Sequence, residues 1–371
     1  MPPDSTATRT EPSLDEVSGA RLDDAAAAAR RGRRWILGLG VALLGSLVAG
    51  TALGAVAVPF TSVVEVVGHH LFLVPDEQTW SGPRDAIVWD VRLPRVLLGA
   101  LVGAGLAVTG MALQAMVRNL LADPYLLGVN SGASTGAAAA ILFGVTLGIG
   151  EHALSVSAFV GAMAASVLVY LVARSAGRVT STRLLLAGVA VGYALQAVTS
   201  FLIFASDSAE GARSVMFWLL GSLALASWGQ PLAVAAVVVL LTVVVLIVLG
   251  RRLDALAVGD ETALALGVSP ERLRTALLVL VALCVAVVVS AAGSIGFVGL
   301  VVPHLARRAV GAAHVRAVPV AALMGAILLI WADIGARVML APQEVPIGII
   351  TAVVGAPFLL ILVRRLQATA A

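Results

Sequence analysis

Long apolar stretches, each near the length of a bilayer crossing, recur from residue 35 to residue 363 and are separated by short polar connections. A hydrocarbon core of about 30 Å takes roughly 20 apolar residues in a helix. Ten segments meet or approach that length: 35–58, 94–117, 126–147, 153–173, 183–204, 229–249, 274–293, 297–311, 317–336 and 346–363. The third and eighth carry Gly, Ser and Pro and read as short or broken spans. A further apolar piece, SVMFWLLGSLALASW, lies within 212–228. It is too short for a comfortable span, and counting it as one would invert everything downstream, so an external or re-entrant helix is expected. The polar lead is rich in Ala, Asp, Ser and Thr and reads as disordered. The expected layout is a disordered cytoplasmic tail over 1–34, a ten-span domain over 35–366 with a long cytoplasmic loop at 251–274, and a C-terminal tail over 367–371. The class is all-α membrane protein.

Composition agrees with the pattern. Hydrophobic residues make up 60 % of the chain, charged residues 12 %, and the mean hydropathy is +1.02, values that exclude an ordinary soluble domain. The pI of 9.7 does not point to nucleic acid, because the basic residues sit at span ends. All 24 are arginines. With the N-terminus inside, nineteen fall on the cytoplasmic side, as cationic side chains resist translocation. Arg84, Arg92, Arg95, Arg213 and Arg337 fall outside and need another reason. Without lysine the chain cannot form a P-loop, which needs one to reach nucleotide phosphates. Cys284 is the single cysteine, so no intrachain disulfide or cysteine metal cluster can form. Trp80, Trp89, Trp218, Trp228 and Trp331 fall toward the outer interface and Trp35 toward the inner one.

Ionisable residues inside spans are costly and usually functional. Among carboxylates and histidines only Asp333 and His304 fall there, each near a span end, and a proton relay at the midplane is not offered. Asp333 and Arg337 are spaced i, i+4 and read as a local ion pair. His304 reads as a packing or capping residue; no metal or catalytic site is expected. In the loop RRLDALAVGDETALALGVSPERLR (251–274), Asp260 and Glu261 suit a helix N-terminus. Ala263, Leu264 and Leu266 give that helix an apolar face, and Gly267 is a C-terminal stop. Such a helix either receives force from a docked motor or lies on the headgroups as an ordinary surface helix.

Six stretches, in order, carry a resemblance: RLPRVLLGALVGAGLAVTGMALQAMVRNLLADPYLLGVNSGAS (92–134), TSTRLLLAGVAVG (180–192), FWLLGSL (217–223), DETALALGVS (260–269), GSIGFVGLVVPHLARR (293–308) and EVPIGIITAVVGAPFLLILVRR (344–365). Together they resemble the FecCD-type permeases of ABC importers for ferric siderophores, haem and vitamin B12. One departure is Leu120, where the family usually has proline. The resemblance implies a ten-span permease with the fold of vitamin B12 importer permeases. It implies a second permease subunit, two cytoplasmic ATPases, a binding protein outside, and no cofactor. It matches Asp260, Glu261, Thr262, Ala263, Leu266 and Gly267 to the helical loop that docks on the ATPase. Asn119, Leu121, Ser181 and Thr182 match the cytoplasmic gate. Arg92, Arg95 and Arg337 match the external entrance, where cations meet carboxylates of the binding protein; arginine's planar fork suits that contact.

The function expected is import of a ferric siderophore across the bacterial cytoplasmic membrane by alternating access, with both termini cytoplasmic and ATP hydrolysis on a separate subunit. Haem and cobalamin are the other cargoes in view. The rivals from other classes are a secondary transporter, disfavoured by the missing midplane carboxylates, and a membrane scaffold.

Overall fold

The computed structural model describes residues 14–145, 150–175, 177 and 179–370, and every regular element among them is helical. In chain order the helices are α1 (Leu14–Ala52), α2 (Phe60–Phe72), α3 (Gly82–Ala86), α4 (Leu93–Val117), α5 (Val129–Phe143), α6 (Ala153–Ser175), α7 (Ser181–Phe204) and α8 (Ala209–Leu219). They continue with α9 (Gln230–Val248), α10 (Gly250–Val258), α11 (Asp260–Ala265), α12 (Pro270–Ala292), α13 (Val298–Val310), α14 (His314–Val338) and α15 (Ile347–Ala370). A helix occupies each of the ten expected span positions. Seven are long and apolar enough to cross a bilayer by themselves, while α5, α13 and the apolar part of α15 are shorter. The extra apolar piece near 212–228 forms α8 and a following loop rather than a span.

Helix ends follow local chemistry. Proline occupies the first turn of α4, α9 and α12, where its missing N–H costs nothing. The Ser208 hydroxyl accepts from the Gly211 N–H at 2.9 Å and caps α8. Residues 14–34, expected as a disordered tail, are helical and continuous with the first span. The alanine run 25–29 is the strongest helix former available. Residues 1–13 lie outside the described residues. At the other end α15 runs through Ala370, so 367–370 also belong to a helix rather than a tail. Between the first two spans, α2 and α3 were not expected, being too short to register as spans.

The core is built on α4, which packs against α9, α12, α13 and α14. Small residues set these distances. A Cβ at Gly103 would lie 2.1 Å from the Gly325 carbonyl oxygen of α14, and one at Gly110 would lie 1.9 Å from that of Gly299 in α13. Helices α5 and α6 meet the same way at Gly132 and Gly161. The outer helices α1, α7 and α9 leave much of their apolar surface uncovered. The two broken spans also meet. Ahead of α13, residues 293–297 are not helical, and Tyr125, in the turn before α5, satisfies Ile295 from both sides. Its hydroxyl donates to the Ile295 carbonyl and accepts from the Ile295 N–H, both at 2.9 Å. Irregular backbone at this depth is tolerated only with such partners.

Candidate functional site

Two groups of charged side chains lie at opposite ends of α4, roughly 35 Å apart at 1.5 Å per residue. The first grows from a local irregularity. Pro94 has no N–H to return to the Asp90 carbonyl, and the helix widens into a π turn over Ile87–Arg92 ahead of α4. Arg92 ends that turn and Arg95 follows within the first turn of α4. Both are buried, at 7 % exposure.

Their partners account for the burial. Arg92 donates to the carbonyls of Thr51 (3.0 Å), Ala52 (2.8 Å) and Val56. Arg337, on α14, donates to those of Gly50 and Leu53, each at 2.8 Å. Two guanidinia therefore cap the last turn of α1, whose carbonyls have no partner within the helix. A Cβ at Gly54 would sit 2.8 Å from Arg92 Nη2, so a side chain there would push against the guanidinium. Arg95 takes Glu344 in a bidentate pair (3.0 and 2.9 Å) and donates from Nε to Asp333 Oδ1 at 2.9 Å. The other Asp333 oxygen lies 2.9 Å from Arg337 Nε, an electrostatic contact rather than an aligned hydrogen bond. Asp333 thus joins two arginines, where the spacing alone suggests one. Glu344 is 45 % exposed and with Arg95 helps line a cavity of about 1020 Å³ bounded by Trp218, Trp228, Ser222 and Ser290. The same end carries an aromatic cluster, with His70 stacked on Trp89 at 4.1 Å and Trp228 Nε1 donating to the Trp89 carbonyl at 2.7 Å.

At the other end the loop 118–123 and the start of α7 come together. The Asn119 side chain accepts from the Leu121 N–H at 2.9 Å and folds the loop on itself. Ser181 is buried and donates to the Met116 carbonyl at 3.1 Å, while Thr182 and Leu121 are exposed. Beside them lies the 251–274 loop, folded as two short helices rather than one. In α10, Asp254 accepts from the backbone N–H of His314 at 2.9 Å and contacts its ring, which pins the loop to α14. Burial alone would raise the Asp254 carboxyl, but the bonds and charge from His314 leave it below its usual value.

In α11, Ala263 is buried, and Glu261, Thr262, Leu264 and Leu266 are exposed. Gly267 takes a φ of +74 after the last turn, as a helix stop should. Asp260 pairs bidentately with Arg274 at 2.6 and 2.9 Å, and that hydrogen bond holds its carboxyl below the ordinary range. Arg274 itself, along with Glu344 and the Gln114–Arg307 contact, was not singled out by sequence reasoning. Its only signal was an arginine inside the first turn of an apolar span. His304, expected to pack, lies edge-on to Phe358.

The FecCD transport family model matches residues 41–365. The cobalamin import system permease protein BtuC of Halobacterium salinarum is 45 % identical over 278 residues, covering 75 % of this chain and 73 % of that protein. The Fe(3+)-citrate import system permease protein YfmD of Bacillus subtilis is 38 % identical over 287 residues, covering 77 % and 84 %. Among solved structures, an inward-facing transporter described as metal-chelate type superposes with a TM-score of 0.77 at 33 % identity. That match covers 90 % of this chain and 99 % of the other.

Proposed function

This chain belongs to the FecCD transport family and is a permease of an ATP-binding-cassette importer, and we propose that it carries a metal chelate across the cytoplasmic membrane by alternating access. Permeases of this kind are transport components that work with a partner permease and with separate ATPase subunits. The observation that carries the cargo reading is the match over nearly the full length of a transporter described as metal-chelate type. A ferric chelate is the cargo the Fe(3+)-citrate relative favours, and cobalamin is the second reading, favoured by the relative at 45 % identity. Reconstituted with its ATPase and binding protein, the permease is expected to show ATP-dependent uptake. Uptake that persists without any ATPase sinks this reading. Titrating the cognate binding protein with ferric citrate and with cobalamin separates the two cargoes.

The termini are assigned to the cytoplasm and Arg92, Arg95 and Arg337 to the outer face, because only five arginines oppose that orientation. The assembly proposed is a homodimer on two ATPases, with α11 and the two residues that close it, Leu266 and Gly267, as the ATPase contact. Asn119, Leu121, Ser181 and Thr182 form the inner gate. Docking of the binding protein falls on the arginine cluster. Its guanidinia already hold internal partners, so an incoming carboxylate reaches Arg95 by displacing Glu344, the one half-exposed member. Glu344→Gln removes the competing charge and is expected to tighten docking at low salt, where exposed charges are least screened. Equal or weaker affinity at low salt removes Arg95 from the docking site.

A further inference from the structure

Arg274 occupies a junction between the two parts of the inner face. Its side chain is only 2 % exposed. The guanidinium fork holds Asp260 at the start of α11, and the third donor, Nε, points to the Met116 carbonyl at 3.2 Å. Met116 lies in the last turn of α4, so its carbonyl has no helical partner. A carbonyl oxygen has two lone pairs, and the second acceptor site is taken by Ser181 Oγ from the first residue of α7. One oxygen atom therefore joins the 251–274 loop to the α7 end.

Packing alone gives α11 little grip on the bundle. It is six residues long, Ala263 is its buried residue, and Leu264 and Leu266 point outward. The Asp260–Arg274 pair is its main polar attachment. A buried arginine must be paired to be tolerated, and Asp260 alone meets that need. The additional bond from Nε into a shared carbonyl serves geometry rather than charge.

We propose that Arg274 is the positioning residue that transmits motion of α11 to the inner gate, through the Met116 carbonyl to Ser181. A shift of α11 pulls the guanidinium, the guanidinium carries the Met116 carbonyl with it, and Ser181, bonded to the same oxygen, draws the start of α7 along or is left behind. This inference rests on reading α11 as the ATPase contact and Ser181 as part of the gate.

The test uses the complete complex with ATPase and binding protein in proteoliposomes, measuring uptake and ATP hydrolysis together. Ser181→Ala is expected to lower cargo moved per ATP by about ten-fold, the effect of losing one buried hydrogen bond. Arg274→Gln loses the Met116 bond together with the bidentate pair to Asp260, and is expected to lower it by at least as much. Because both act through one oxygen, the double variant is expected to match the worse single variant instead of multiplying. Arg274→Lys keeps the charge opposite Asp260 without the fixed third donor. It is expected to retain the ATPase on purification while the ratio still falls. A normal ratio in Ser181→Ala, or multiplicative losses in the double variant, overturns the relay; so does loss of the ATPase in Arg274→Gln with Ser181→Ala unaffected. Variants on the outward face of α11, Leu264→Ala with Leu266→Ala, separate the relay from the reading beneath it. If they uncouple and the relay variants do not, the relay alone fails. If they leave ATPase binding and stimulation unchanged, the reading of α11 as the ATPase contact fails.

Discussion

Asp333 holds two guanidinia that the chain places far apart, Arg337 one helical turn away and Arg95 at a separation of 238 residues. The nearer pairing was legible from i, i+4 spacing; the farther one depends on how α4 and α14 cross. Removing one partner of a buried ionic network leaves the others uncompensated, at about 3–5 kcal/mol. Asp333→Ala is therefore expected to lower the thermal midpoint of the purified permease sharply. Glu344→Gln, at a half-exposed position, should change it little. Similar midpoints for the two variants would show that burial of the network does not govern its energetics. The same logic explains why Arg92, Arg95 and Arg337 looked alike in the sequence. All three oppose the charge asymmetry, yet Arg92 caps a helix end, Arg95 binds two carboxylates and Arg337 does some of each.

At the scale of elements, glycines at α4 contacts set how closely neighbouring helices approach. Gly110→Ala forces a Cβ against the Gly299 carbonyl and is expected to cost about 1–3 kcal/mol by overpacking. Gly40 on α1 has nothing within 4 Å of its Cβ position, so Gly40→Ala is expected to be neutral or to stabilise through helix propensity, by up to about 1 kcal/mol. Thermal unfolding of the two variants in the same detergent checks the contrast. The hydrophobic pattern revealed span positions well, but not which glycines face a neighbour, since almost every span contains several.

The attachment of α11 has a pH sign. Arg274 holds the Asp260 carboxyl below its usual 3.8, so the pair's contribution is present above the unfolded value and disappears as pH falls through the folded one. Hydrogen–deuterium exchange in α11 is expected to stay constant from neutral pH down to the ordinary carboxylate range, after correction for the intrinsic rate, and to rise below it. Asp260→Asn should show the faster exchange at neutral pH. Loosening of α11 between pH 5 and 7 contradicts this account.

For the whole molecule, the two charged clusters at either end of α4 define two faces, and orientation across the membrane becomes a labelling experiment. Cys284 is fully buried, so Cys284→Ser gives a background for single cysteines. Leu225 is 78 % exposed on the loop after α8, and Leu264 is 62 % exposed on α11. In intact cells Leu225→Cys is expected to react with a membrane-impermeant maleimide, and Leu264→Cys only after permeabilisation. The reverse pattern inverts every assignment of inside and outside.

The sequence by itself determined the class, the number and order of apolar segments, the breaks in the third and eighth, the short helix that starts at Asp260 and the family. These are properties of local composition and period, and the bilayer fixes the length each span must have. Tertiary structure decided which charges are shared: Arg95 with Asp333 and Glu344, Arg92 and Arg337 with the end of α1, and Arg274 and Ser181 with one carbonyl of α4. Such contacts join residues on different helices. Their partners are orphan carbonyls and distant carboxylates, groups that carry no mark in the chain until the helices pack.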